Sequence, residues 1–233
     1  MTLVRRSQAA LLRPDSEIAR HYHAHPYATI VLSGSYEEAG DAGRWRVEAG
    51  DVLLHAPFSA HRDWVAKRRT HVLDLPLPLD GREWPGRGRI ADPGMLLRVA
   101  ERDVIEAASL LLEAFEPVEG AMDDVPDRLA AALTGEAAPA IAQWAERHGW
   151  ARETASRHFS MIYGVAPARY RGEARARRAW RLIVGGEAAL ADVAAEAGYA
   201  DQAHMSRAVK ALTGHSPGQW RTWRTAGSHS FKT

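Results

Sequence analysis

The hydrophobic period of this chain changes once along its length. From Tyr22 to about Leu75 apolar residues come in short runs and alternations. ATIVLSGSY (28–36) is a β-rich run ending at Gly34, RWRVEAGDVLLHAP (44–57) alternates and then turns apolar with Gly50-Asp51 as the turn, and RTHVLDLPL (69–77) follows. Short strands at this spacing predict a small barrel or sandwich. Pro and Gly mark Pro76 to Pro93 as loop, and Met95 to Phe115 then repeats apolar residues at helical spacing: Leu96, Val99, Val104, Ala108, Leu111, Leu112 and Phe115. That pattern predicts one amphipathic helix with a weak point near Glu101. Its apolar face fits either packing against the barrel or a seam with a second copy. Glu116 to Pro126 is acidic and turn-rich, and everything after it has helical period. The expected architecture is α+β and multidomain, with an N-terminal β domain plus helix over 1–118 and an all-α domain over 124–226.

The all-α part contains one phrase twice. GWARETASRHFSMIYGVAPARYR (149–171) returns as GYADQAHMSRAVKALTGHSPGQWR (198–221), matching Arg157 with Arg207, Gly164 with Gly214, Pro167 with Pro217, Tyr170 with Trp220 and Arg171 with Arg221 at a separation of 50 residues. Two copies are too few for a stacked solenoid. In the first, Ile141, Trp144 and Ala145 stripe a short helix ending at Gly149, and a second helix runs from about Arg152 to Tyr163. Ala155, Phe159 and Ile162 share one of its faces, while Arg152, Glu153, Ser156, Arg157 and Ser160 share the other. In the second copy Val193, Ala194 and Ala197 lead to Gly198. Met205, Val209 and Leu212 then face in, and Gln202, Ala203, Ser206 and Arg207 face out. Pro167 and Pro217 each begin a last short helix, the first followed by a helical connector from Glu173 to Val184 about 18 Å long.

Two short helices joined by a glycine turn, the second with a polar face, form a helix-turn-helix. Arg can donate twice to guanine, Gln can pair with adenine, and an Arg at the end of each unit, Arg171 and Arg221, would anchor on phosphate. Residues 1–123 carry 15 Lys and Arg against 19 Asp and Glu, whereas 124–233 carry 15 against 10. Arg169, Arg171, Arg175, Arg177, Arg178 and Arg181 lie within thirteen residues, and local positive charge of this kind attracts polyanions. Period and charge alone leave two readings open: a DNA-reading pair of units, or a helical bundle whose polar faces meet only water.

The closing residues are more specific. Ala194, Gly198-Tyr199, Ala203, His204, Met205, Ser206, Arg207, Val209, Lys210, Gly214, Ser216, Pro217, Trp220 and Arg221 resemble the signature that ends the AraC/XylS family of bacterial transcription regulators. The resemblance covers about Pro126 to Arg224, departing at Met205 and Val209, where the family prefers Phe, and at Trp220 for Tyr. It implies two helix-turn-helix units on double-stranded promoter DNA. Base contacts would come from Glu153, Ser156 and Arg157 in the first unit and from Gln202, Ala203, Ser206 and Arg207 in the second. Glu153 and Ala203 break the symmetry of the two helices, which implies an asymmetric site. RNA polymerase is an implied neighbour of a regulator bound there, and a homodimer through the Met95–Phe115 region is an implied assembly.

His21-Tyr22-His23-Ala24-His25 and His61 supply the candidate chemistry of the first domain. On a strand, alternate residues share a face, so at the start of one His21 and His23 can converge with His61 as ligands for zinc, iron or nickel. The spacing resembles a cupin: His-x-His, a slot usually held by Glu but here by Tyr27, then Gly34, with Gly50-Asp51, Pro57 and His61 echoing the second motif. Loss of the carboxylate weakens the metal reading, so no cofactor is assigned. The resemblance implies instead a barrel whose effector pocket includes His21, His23, Tyr27 and His61. Trp64 and Tyr27 can equally line an apolar pocket, and His55, inside an apolar run, reads as core. A metal-dependent cupin enzyme with a helical assembly tail is the competing class.

The absence of cysteine removes disulfides, zinc fingers and thiol catalysis. No apolar run reaches the roughly 18 to 20 residues of a bilayer span, and MTLVRRSQAALLRPD lacks the apolar core of a signal peptide. A cytoplasmic protein without membrane contact is expected.

Overall fold

The computed structural model describes residues 8–79, 86–135 and 138–227. Residues 1–7, read above for a signal peptide, and 80–85, within the expected loop, lie outside the described residues. The chain divides into two compact units, the first running to Asp127 and including Ile162–Gly164, the second formed by Arg128–Met161 and the residues from Val165 on.

The first unit is built on β1 (Gln8–Leu12), β2 (Glu17–Tyr22), β3 (Tyr27–Ser33), β4 (Ser35–Gly40), β5 (Gly43–Glu48), β6 (Asp51–His55), β7 (Ala60–Val65), β8 (Thr70–Pro76) and β9 (Arg87–Arg89), then α1 (Pro93–Ala100), α2 (Val104–Ala114) and β10 (Glu116–Pro117). Two antiparallel sheets result, in the orders β1-β8-β3-β6-β9-β10 and β2-β7-β4-β5. The central strands of the larger sheet are apolar on both faces because both are covered. Ile30, Leu54, Leu73 and Leu75 pack with Leu96, Ala100, Ala107, Ala108 and Leu111 of the helices. On the opposite side Val31, Leu53 and Val72 pack with Tyr36, Trp45 and Val47. The apolar stripe of α1 and α2 is therefore spent on the sheet, and Ile105 is a large apolar side chain left exposed.

The helix expected over Met95–Phe115 is broken at its expected weak point near Glu101: α1 ends there, and Asp103 starts α2 by accepting from the amides of Ile105 and Glu106 at 2.9 and 3.0 Å. Other expectations are corrected. The loop before Pro93 contains β9, and the acidic stretch after Phe115 begins with β10, which pairs with β9. Of the histidine motif only His21 lies on a strand, near the end of β2, and His23 and His25 lie in the connection to β3, not at a strand start. Strands β1 and β2 precede Tyr22, and β4 and β7 were not legible because buried Glu38 and Asp63 interrupt the apolar alternation of an inward face.

The second unit is all helix: α3 (Val125–Thr134), which crosses the division, then α4 (Ile141–Arg147), α5 (Arg152–Tyr163), α6 (Pro167–Gly185), α7 (Leu190–Glu196), α8 (Gln202–Thr213) and α9 (Pro217–Gly227). The expected short helix at Pro167 and the connector after it are one helix of 19 residues, about 28 Å long at 1.5 Å per residue. It continues through Gly172 because Tyr170, Ala176, Ala179, Trp180 and Ile183 form one buried stripe. α7, α8 and α9 all pack on it. Gly149 and Gly198 end α4 and α7, and Gly164 and Gly214 end α5 and α8, all four with φ between 66° and 79°. Glycine takes this left-handed conformation without the penalty a Cβ brings.

A Cβ at Gly214 would have no neighbouring atom within 4 Å, so Gly214→Ala tests the backbone alone. It should cost about 1 kcal/mol, read as a lower urea midpoint by tryptophan fluorescence. An unchanged midpoint would show that the turn does not need this conformation.

Candidate functional site

The two repeated helices present the outward faces expected of them, but of the expected inward residues Ile162 and Leu212 are only half-buried, and Tyr163 and Thr213 are buried in the last turns instead. On α5, Ala155, Phe159 and Tyr163 are buried, Arg152, Glu153 and Arg157 are exposed, and Ser156 and Ser160 are half-buried between them. On α8, Met205, Val209 and Thr213 are buried, Gln202, Ala203 and Arg207 are exposed, and Ser206 is half-buried. Among the described residues Arg152, Arg157 and Arg207 make no ion pair, so their guanidinium groups remain available to a ligand. Lys210 is also exposed, three residues beyond Arg207 on the same face; that spacing could have nominated it. The helix starts differ. Asp201 caps α8 by accepting from the His204 amide at 2.6 Å, whereas Ala151, which precedes α5, has no side chain that can cap.

Arg171 and Arg221 occupy equivalent, half-buried places. Arg171 donates to the Pro139 carbonyl, 32 residues back, and Arg221 to the Ala188 carbonyl, 33 back. Each acceptor lies just before the first helix of its unit, so each Arg ties the third helix of a unit to the start of the first. A guanidinium has five N–H donors, which leaves capacity for phosphate. The arginine run of α6 is not one solvated stripe. Arg177 is buried, Arg169 pairs with Glu173 at 2.8 Å, and Arg171, Arg175 and Arg178 line a groove of about 510 Å³ with Arg147.

In the β unit the strands gather a polar cluster. His21, His23 and His61 offer ligand atoms within 4.8 Å of one another. His21 Nε2 and His61 Nε2 stand 3.0 Å apart, and the Tyr27 hydroxyl is 3.3 Å from His61 Nε2. His55 is 5% exposed and stacks on Tyr27 with ring centroids 4.4 Å apart. The sequence reading missed Glu38 and Asp63, which alternation along β4 and β7 turns toward the same cluster. Trp64 is not part of it: it is adjacent to inward Asp63, takes the other face of β7, and carries Arg62 over its ring at 4.8 Å.

Burial, and next the charge of Asp63, raises the Glu38 carboxyl well above its usual range, and burial raises Asp63 to about 7. Burial, then His23 and His21, lowers His55 to about 3, and burial lowers His61 well below the usual imidazole range. Removal from water disfavours every charged form here. The folded Asp63 keeps its proton up to about pH 7, whereas the unfolded one releases it near pH 4. Its contribution to stability is therefore full in acid and lost as pH rises through 7. His55 acts in the opposite sense, losing stability as pH falls below about 6.5 toward 3. With a chelator present, Asp63→Asn should raise the Tm more at pH 8 than at pH 5, by roughly 3 °C; equal shifts at both pH values would contradict this assignment.

A model of the family described as "Helix-turn-helix domain" matches residues 144–222. The chain is 27% identical over 86 residues to the virulence regulon transcriptional activator VirF of Yersinia enterocolitica, and equally to the thermoregulatory protein LcrF of Yersinia pestis, covering 37% of this chain and 32% of each relative. It thus spans about a third of the length of the curated relatives it matches. Among solved structures, the C-terminal domain of AraT from Geobacillus stearothermophilus aligns at 21% identity and TM-score 0.40 over 43% of this chain and 85% of that one. ToxT from Vibrio cholerae O395 aligns at 10% identity and TM-score 0.41 over 95% of this chain and 99% of that one. Residues 144–222, with α5 and α8 inside them, match a helix-turn-helix domain.

Proposed function

We propose that this protein is a sequence-specific DNA-binding transcription regulator whose β unit senses a small molecule. The observation that carries the reading is the duplicated outward face: Arg152, Glu153, Ser156 and Arg157 on α5, and Gln202, Ala203, Ser206 and Arg207 on α8, within a matched helix-turn-helix domain. Residue types suited to base edges stand outward at the same turn of each helix. The length of α6 suits two helices that enter successive major grooves on one side of the duplex, whose repeat is about 34 Å. Arg171 and Arg221 serve twice in this reading, stapling each unit and offering remaining donors to phosphate. The two copies read unlike half-sites, because Glu153 and Ala203 stand at corresponding turns with different chemistry.

The effector reading rests on the cluster of His21, His23, Tyr27 and His61, with Glu38 and Asp63 behind it. Polar groups buried in this number cost stability, a cost consistent with a ligand that engages them. A cytoplasmic setting, contact with RNA polymerase and pairing into homodimers complete the proposal. Among the described residues no helix is long and apolar enough to cross a membrane.

Gel-shift titration of promoter fragments at two salt concentrations tests the DNA reading. Arg157→Ala and Arg207→Ala should each lower specific affinity by about 1 to 3 kcal/mol and relax base preference. Lys210→Ala should weaken all sequences alike and reduce the salt slope by about 1. Uniform losses for all three variants would remove the base-reading assignment. Arg171→Ala should also weaken all sequences alike, with a lowered unfolding midpoint that reports the lost bond to Pro139.

A further inference from the structure

The histidine motif read from the sequence accounts for only the outer part of the polar cluster. Behind His61 lies a second donor set that no motif contains: Glu38 of β4, His55 of β6 and His61 of β7, whose ligand atoms all lie within 4.8 Å of one another. All three side chains are at most 5% exposed. The geometry points to a binding site for one divalent transition-metal ion of the zinc class, held by Glu38, His55 and His61.

Three features support it. The Glu38 carboxylate stands 3.7 Å from His55 Nδ1, too far for a hydrogen bond but close to the roughly 3.4 Å that separates two donors on one tetrahedral ion with bonds of about 2.1 Å. His61 Nδ1 is buried without a hydrogen-bond partner, which is rare for an imidazole nitrogen unless a ligand takes it. The remaining groups form the supporting layer such sites need. Asp63 hydrogen-bonds to the Glu38 side chain, and His61 Nε2, the nitrogen not facing inward, meets His21 Nε2 at 3.0 Å. With Nδ1 on the metal, Nε2 carries the proton and donates it to His21, fixing the tautomer. Two imidazoles and a carboxylate match zinc or cobalt better than the hard oxygen sets of magnesium or calcium. Half-buried His21 and His23 lie beside His61 and offer a route inward from solvent. Glu38 also supplies the anionic ligand that Tyr27 cannot replace as a carboxylate.

This inference goes beyond the DNA-binding reading and does not depend on it. The test is cobalt(II) titration of the full chain after chelator treatment, followed by zinc competition. One cobalt per chain is expected, with the visible absorption of a low-coordinate site that zinc abolishes. Glu38→Gln, checked for its fold by circular dichroism, should weaken cobalt binding at least tenfold. X-ray absorption of the wild-type cobalt complex decides even if that variant does not fold: two imidazoles and one carboxylate support the site. Three imidazoles without a carboxylate would assign the metal to His21, His23 and His61 and overturn it. No bound cobalt, or affinity lost in His21→Gln but kept in Glu38→Gln, would overturn it as well.

Discussion

The short repeated helices cannot stand alone, and that constraint organises the second unit. α4 and α7 have 7 residues each, and α5 and α8 have 12 each, whereas isolated helices shorter than about 12 to 15 residues are marginal in water. They persist because one face of each is buried. Phe159 meets the edge of Tyr170 at 5.1 Å in the first copy, and in the second Met205 and Val209 are fully buried on a helix that packs against α6. The outward faces are free to carry polar and basic residues only because the inward faces supply the stability. Left-handed glycines then allow each short helix to stop and the next to start at a steep angle.

The β unit has the same division with the polar side turned inward. One end of the space between its sheets is apolar, with Val31, Tyr36, Trp45, Val47, Leu53 and Val72. The other holds Glu38, His55, His61 and Asp63, each at most 5% exposed. Burial holds these groups in their neutral forms, which lowers the cost of keeping them out of water without removing it. The apolar layers on both faces of the larger sheet carry that cost, and they leave a site where a small change in charge or ligation has a large energetic effect.

Much of the second unit was legible because its signals are local. The turn glycines and the alternation of Ala155 and Phe159 with Arg152, Ser156 and Arg157 lie within a few turns of one helix, where spacing sets direction, and the 50-residue period repeats that local pattern. The continuity of α6 was less legible. Gly172 resembles a break, and only the buried stripe from Tyr170 to Ile183 shows why it is not one. In the first unit β4 and β7 escaped notice because inward Glu38 and Asp63 read as surface residues.

The amino-acid sequence by itself determined the two-part organisation, the repeated helices and the faces they present, since backbone geometry converts local spacing directly into direction. It also supplied His21, His23 and His61 as a group, because their types are rare and their spacing is suggestive. Tertiary structure alone decided that Glu38 and Asp63 stand behind those histidines, that Trp64 turns away, and that Arg171 and Arg221 reach back about 32 residues to the start of their own units. Each of these depends on strand pairing or helix packing between residues far apart in the chain. No local period records such partners, because register and packing are chosen by the whole core at once.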